Sequence, residues 1–259
     1  STCKTTYQSS DSIVEKSVFA YDTERPYNII SKSSLCSGGA EQVERTYYSN
    51  NTIPDKEFLT TSQRSVIQLL TSRNYLTTPV QQTMEKKDKR LYSVLRGYSS
   101  SLSSGMVVED QYYCKGTDKY EKRISYNKYD IYGNPVYINK DGAEKVVYLW
   151  GYKGQYLLAE IKGATYEEVK KALMVDPASM SSCILPSMPL YLDMIDNLYK
   201  ALPSALITSY TYHPLIGISG IISPNKAKTT FEYNSDSQLI RIKDTEGKTM
   251  EEYQYHFRP

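Results

Sequence analysis

Apolar and polar positions alternate with a period of two along much of this chain, and over its last fifty residues aromatic pairs mark the alternation. Tyr210 and Tyr212, Phe231 and Tyr233, and Tyr253 and Tyr255 each stand two residues apart. In a strand, residues so spaced share one face. The pairs recur after 21 and then 22 residues. That interval suits one hairpin, with two strands of about six residues and two turns. On this period Ile218 corresponds to Leu239, Ile221 to Ile242, and the turn Pro224-Asn225-Lys226 to Thr245-Glu246-Gly247. Hairpins stacked this way set tyrosine beside tyrosine on neighbouring strands, each pair contributing roughly 0.2–1 kcal/mol.

The pattern is fuller upstream. Tyr129-Asp130-Ile131-Tyr132-Gly133-Asn134 leads into Val136-Tyr137-Ile138 and then Asp141-Gly142. Gly133-Asn134 and Asp141-Gly142 are turn dipeptides that bracket a β-branched run. Residues 146–152 read as the next strand, with aromatics at Tyr148, Trp150 and Tyr152. Phe19-Ala20-Tyr21-Asp22, followed by Ile29-Ile30, reads as a worn copy near the start. Pro79 to Tyr98 reads as a hairpin turning near Lys86 to Lys89, and Ser99 to Ser104 as a short serine-rich loop.

Helical spacing interrupts the strands in three places. Thr165-Tyr166-Glu167-Glu168 is a capping box opening a short helix, with Val169, Leu173 and Met174 on one face. A second helix is predicted from Pro189 to about Leu202, with Leu190, Met194, Leu198 and Leu202 in register and Pro186, Pro189 and Pro203 as punctuation. Together they make a helical insertion at about 164–203. A third helix is predicted from Ser62 to Arg73, striped by Val66, Leu69 and Leu70.

Composition sharpens the strand reading. The chain has 26 Tyr against 4 Phe and 1 Trp. Tyrosine suits a half-buried strand surface, its ring packed and its hydroxyl in water. With 40% hydrophobic and 23% charged residues over 259 residues, a core forms without disulfide or metal. The formal charge of +2 supplies no field to steer nucleic acid or an anionic membrane. The densest basic run, Lys86-Lys87-Asp88-Lys89-Arg90, reads as a solvated hairpin tip. No apolar stretch is long enough for a membrane span, and no apolar leader follows Ser1, so a signal sequence is not present in this chain. Cys3, Cys36, Cys114 and Cys183 are too widely spaced for a Cys-x-x-Cys metal site and read as free thiols.

The run Tyr129-Asp130-Ile131-Tyr132-Gly133-Asn134, with Asp141-Gly142 behind it, resembles the RHS/YD-repeat family, whose unit is approximately Tyr-Asp-x-x-Gly-Arg/Asn-Leu. The resemblance covers about residues 124–257. At 233–247 the spacing holds, with Asn234 for aspartate and Ser237 for glycine. At 212, His213 and Ile216 occupy those positions. Residues 148–169, followed by the stretch at 210–220, are similar to a narrower group, the uncharacterised YD-repeat surface proteins of Bacteroides-type bacteria. In the better-understood relatives, many such repeats wind into a shell around a toxin polypeptide. The resemblance therefore implies a structural or display role, and a location that is extracellular, at the cell surface or periplasmic. Five or so repeats are too few to close a shell. The expected fold is mainly β: an antiparallel, strongly twisted sheet of stacked YD-type β-hairpins with a small helical insertion. Residues 1–123 form a β-rich N-terminal region with weak repeats, and 124–259 the YD-repeat region.

Candidate chemistry is sparse. His213 and His256 both follow the second tyrosine of a pair, where other units carry Asp130, Asn234 or Asp22. They read as replaced repeat positions whose side chains bond the local backbone, and not as a metal or acid–base pair. No Gly-x-Ser-x-Gly elbow and no phosphate loop occurs. Glu167-Glu168 and Glu251-Glu252 are adjacent pairs, which a strand would point to opposite faces. No catalytic residue, metal ligand or cofactor is expected. The one binding candidate is Trp150, Tyr152 and Tyr156, an aromatic platform for a sugar or peptide. The competing reading makes Trp150 a core anchor beneath the helical insertion. The sequence thus points to a non-catalytic scaffold or interaction module, with a carbohydrate- or peptide-binding module using exposed tyrosines as the alternative. Its partners would be other segments of a longer YD-repeat chain, a surface protein or a glycan.

Overall fold

In the computed structural model, residues 2–8, 11–35, 39–101, 105–182 and 188–256 are described, the side chains of 2–15, 101 and 188–190 excepted. Cys36, Cys183 and Pro186 lie outside the described residues. The chain divides into two compact units, Ser1–Ser125 and Tyr126–Pro259. Both are antiparallel meanders, in which strands pair with their neighbours in sequence, and the sheet does not close. The mainly β, antiparallel expectation therefore holds.

The first unit contains β1 (Thr2–Gln8), β2 (Asp11–Tyr21), β3 (Ile29–Leu35), β4 (Glu41–Tyr48), β5 (Pro79–Lys86), β6 (Lys89–Ser101), β7 (Gly105–Lys115) and the start of β8 (Glu121–Tyr129). Lys86 pairs with Lys89, so Lys87 and Asp88, both at positive φ, make the two-residue turn that the basic run suggested. Ser99, Ser100 and Ser101 are not a loop: they extend β6 and pair with Val107, Met106 and Gly105. Between β4 and β5 lies α1 (Thr61–Ser72), capped by Thr60 and Gln63 in a reciprocal capping box. Its buried stripe is Gln63, Ile67 and Leu70, with Val66 partly buried; Ile67, and not Leu69, carries the turn between. Ile67 and Leu70 pack on Val80, Leu95 and Tyr98.

The second unit contains β9 (Pro135–Lys140), β10 (Glu144–Gly151), β11 (Tyr156–Lys162), β12 (Leu206–His213), β13 (Gly217–Ile222), β14 (Lys228–Tyr233), β15 (Leu239–Lys243) and β16 (Thr249–Glu252). Between β11 and β12 come α2 (Tyr166–Leu173), a short 3-10 segment and α3 (Met188–Ala201). Thr165 and Glu168 form the expected capping box of α2. Met174 does not continue the apolar face. It ends the helix at φ 58° and is 94% exposed. Val169, Ile195 and Leu198 pack on Val147, Leu149, Ile161 and Ile207 of the sheet. Each such fully buried side chain contributes about 1.5–3 kcal/mol. The Tyr191 hydroxyl on α3 lies 2.6 Å from the Leu158 carbonyl and 2.9 Å from that of Tyr210. Tyr199 reaches the carbonyls of Ile207 and Ser223 at 2.9 and 3.0 Å. These two hydroxyls pin α3 across β11 and β12 to the residue that follows β13.

One turn recurs in the second unit. Asp130 Oδ1 accepts from the N–H groups of Tyr132 and Asn134, and Gly133 takes φ 84°. Asn234 Oδ1 accepts likewise from Asp236 and Gln238, with Ser237 at φ 62°. Asp244 does the same with Glu246 and Lys248, with Gly247 at φ 80°. The motif needs a short side-chain acceptor at its first position and left-handed backbone three residues on. That is the physical content of Tyr-Asp-x-x-Gly. Asp244 is a further copy that the aromatic period alone did not show.

Candidate functional site

The aromatic residue near the end of a strand has a fixed partner. Tyr48 donates to the Ile29 carbonyl, Tyr98 to Pro79, Tyr212 to Leu157, Tyr233 to Ile218 and Tyr255 to Leu239, at 2.7–3.0 Å. Each acceptor is the first or second residue of the preceding strand. These five hydroxyls are therefore not left to water; they form rungs that tie hairpins together. Trp150 belongs to the same series. Its indole N–H donates to the carbonyl of Pro135, the first residue of β9, at 2.8 Å.

A β-bulge accompanies five of the six rungs, and one lies opposite Tyr21 as well. Opposite Tyr21, Tyr48, Tyr98, Trp150, Tyr212 and Tyr233, the following strand carries one extra residue. A bulge disrupts the ladder locally and increases twist. The rung aromatic sits where that disruption occurs.

Of the three platform candidates, the structure brings Tyr152 and Tyr156 together, with ring centroids 4.9 Å apart and edge-on. Tyr212 is the third member, 4.6 Å from Tyr156. Trp150 does not join them. Val147 and Leu149 point into the core beneath the helices, and alternation along β10 sends Trp150 to the other face. It is neither platform nor anchor of the insertion, but a rung. Tyr152, Lys153 and Gly154 all take positive φ, a left-handed turn held by Asn134 Nδ2 on the Gly154 carbonyl at 2.8 Å. A Cβ on Gly154 would stand 2.7–2.9 Å from Asn134 and Tyr132, so only glycine fits. Burial pushes the Tyr212 phenol up to about 12 and raises that of Tyr152.

His213 ends β12 and meets the Tyr233 ring edge-on, with centroids 6.1 Å apart. It borders an open groove of about 520 Å³ with Leu192, Thr211, Ser219 and Glu232, in which Ser219 Oγ donates to Thr211 Oγ1 at 2.9 Å. His256 is exposed, beyond the end of β16.

In the first unit a bulge gathers side chains that spacing would separate. Gly97 pairs with Asp110 and Tyr98 with Val108, leaving Glu109 as the extra residue. Both neighbouring carboxylates consequently reach Gln63 Nε2, Glu109 at 2.9 Å and Asp110 at 3.1 Å. Ser125 Oγ donates to Asp110 at 2.9 Å, and Lys122 Nζ lies 3.2 Å away. A second network joins Asp55, Gln81, Ser93, Tyr120 and Arg90. Burial raises the Tyr120 phenol far above its ordinary value and raises the Cys114 thiol. These groups hold one another, and Gln63 gave no sequence signal because it sits in an amphipathic helix as a polar residue. Among the described residues, no three His, Cys, Asp or Glu side chains are grouped to hold a metal, and no helix is long and apolar enough to cross a membrane.

No family model matches this sequence, and no curated protein matches it. Solved structures do align. The crystal structure of TcdB2-TccC3-Cdc42 matches over 88% of this chain and 12% of that one, at 11% identity and a TM-score of 0.35. TcdB2-TccC3 matches over 88% and 12%, at 10% identity and a TM-score of 0.35. The Photorhabdus luminescens Tc holotoxin pore with the mutation TccC3-D651A matches over 88% and 11%, at 10% identity and 0.35. This chain spans about an eighth of the length of the chains it aligns with.

Proposed function

We propose that this chain is a non-catalytic scaffold module of the YD/RHS-repeat kind, part of a surface or secreted protein like those of Bacteroides-type bacteria. The observation that carries this reading is the repeated unit itself. One strand pair, one bulge and one donor aromatic recur through the chain, and in the second unit the acceptor-closed turn recurs with them. Their hydrogen bonds run from hairpin to hairpin. Such a unit buries its surface against its neighbours, so stability grows by stacking. The neighbouring carboxylates Glu109 and Asp110, which share Gln63, are engaged by it and, at Asp110, by Ser125 and Lys122, which favours a structural role for them.

The test is to lengthen the sheet. A second copy of residues 234–255 inserted after Tyr255 should give a soluble chain with more strand signal and an undiminished melting temperature. An insertion that unfolds or aggregates the chain would sink the scaffold reading. The carbohydrate- or peptide-binding alternative rests on Tyr152, Tyr156 and Tyr212. A glycan array should find no ligand whose binding Tyr156→Ala abolishes; such a ligand would instead establish the alternative.

A further inference from the structure

β16 pairs with β15 on one side, and among the described residues no strand pairs with its other side. The Tyr253 N–H donates to the Ile240 carbonyl at 2.9 Å. Glu252 and Arg241 are partners one step further along the same ladder. Backbone groups alternate in direction along a strand, so the N–H and carbonyl of Glu252 point away from β15, to the open edge. The rungs show what this edge lacks. In the other five, the following strand runs past the donor aromatic with one extra residue opposite it. Tyr255 makes its rung to Leu239 without such a strand among the described residues. Apolar surface stays open as a result: Met250 is 62%, Tyr255 45% and Tyr253 38% exposed. Unpaired backbone groups beside a rung without its bulge are the footprint of a strand.

Charge selects which strand. β16 reads Thr-Met-Glu-Glu, and Glu251 and Glu252 are both exposed. Joining β16 to β16 of another copy would crowd acids into one ladder, and like charges opposite one another are destabilising. The other edge of the sheet is β1, which pairs with β2 alone. Its sequence, Thr-Cys-Lys-Thr-Thr-Tyr-Gln, holds one base, Lys4, and no acid. An antiparallel register that sets Lys4 opposite Glu251 also sets Cys3 opposite Glu252, Thr5 opposite Met250 and Thr6 opposite Thr249. All four residues of β16 then have a partner, and no acid meets an acid.

We propose that the open edge of β16 receives β1 of a second copy of this chain, antiparallel and with Lys4 opposite Glu251. The inference rests on the scaffold reading, because it uses the repeat's own way of covering a strand. Main-chain hydrogen bonds supply the attraction, and the opposite charges decide which edge meets which. The contact is head-to-tail: each joined pair keeps one free β16 and one free β1, so association continues beyond the dimer. β16 has only 4 residues, so the contact is small. The dissociation constant should be on the order of 0.1–1 mM.

Sedimentation velocity of the full chain over a rising concentration series tests this. The sedimentation coefficient of wild type should climb with concentration, and the Glu252 amide should gain protection from hydrogen exchange. Glu252→Pro removes an N–H that β15 does not use. It should leave the melting temperature of the dilute chain nearly unchanged and weaken association roughly tenfold. Lys4→Glu and Glu251→Lys should each weaken association roughly fivefold, the scale of an exposed ion pair turned to repulsion. The chain carrying both changes should recover it. Wild type that stays monomeric up to about 1 mM overturns the proposal. So does association that Glu252→Pro leaves intact, or a doubly changed chain no better than either single variant. The lengthened chain separates the two readings: if it folds and does not associate, the edge contact falls and the scaffold stands.

Discussion

The rungs make the most quantitative prediction. Tyr233→Phe removes one hydroxyl and leaves the ring in place. The lost bond is 2.9 Å long, to the Ile218 carbonyl at a bulged stretch of β13 where the ladder is already interrupted. A single neutral hydrogen bond contributes about 0.5–1.5 kcal/mol, and a carbonyl left without a partner adds to the loss. We expect Tyr233→Phe and Tyr212→Phe each to destabilise by about 1 kcal/mol. Tyr191→Phe should cost more, about 2 kcal/mol, because its buried hydroxyl faces two carbonyls. Tyr132→Phe is the control: its ring is about half exposed and its hydroxyl makes no rung. Urea unfolding measures the differences. With an m-value of about 2 kcal/mol/M, a 1 kcal/mol loss moves the midpoint by about 0.5 M. If the rung variants unfold within about 0.1 M of the control, the hydroxyls do not hold the hairpins together and tyrosine abundance needs another cause.

Other expectations test the turns, the helix seat and the alkaline limit. Ser237→Gly should stabilise by about 0.5–1 kcal/mol, since φ 62° strains serine where Gly133 and Gly247 are at ease; unchanged thermal unfolding would contradict the turn rule. Gly97→Ala should destabilise by about 2–4 kcal/mol, because its Cβ would stand 2.3 Å from the Gln63 carboxamide carbon, and the loss should shrink in a Gln63→Ala background. Equal losses in both backgrounds would show that Gln63 is not the obstacle. Burial raises the phenols of Tyr148 and Tyr212 to about 12, against about 10 unfolded. Raised phenols favour the protonated fold, so their stabilisation is complete below pH 10 and is lost as pH climbs towards 12. Ultraviolet titration should show a late group of tyrosines ionising together with unfolding; a single smooth transition near pH 10 would refute this.

How much of this was readable in the sequence depends on which atoms carry the information. The capping box at Thr165, the turn at Lys87-Asp88 and the Asp130 turn were legible because side-chain types specify them. The rungs were half legible. Their donors are visible as aromatics at fixed intervals, but every acceptor is a backbone carbonyl, which has no residue signature. The bulge residues Ile30, Val80, Leu158 and Ile240 are aliphatic like any strand residue, and Glu109 and Ser219 are polar, so none carries a bulge signature. A period of two therefore could not foresee that Glu109 and Asp110 would turn to one partner. Met174 misled for a related reason: its apolar side chain fits the helical stripe, yet its backbone had already left the helix.

Trp150 shows what the repeat selects. Phenylalanine fills a strand surface as well as tyrosine does, yet the rung positions hold five tyrosines and one tryptophan. What tyrosine and tryptophan share is a donor at the rim of the ring. The bulge supplies the reason for wanting one. It interrupts the ladder where the chain must twist, and the donor ring spans the interruption to the strand behind. The sheet can then be extended hairpin by hairpin without a buried core at each step, which is why the rungs continue through β13–β16, none of whose described residues joins the core cluster beneath the helices. Exchange at a rung should follow this chemistry: Tyr212→Trp should be tolerated better than the smaller change Tyr212→Phe wherever the indole N–H can reach Leu157, and circular dichroism melting of the two variants decides between donor and volume.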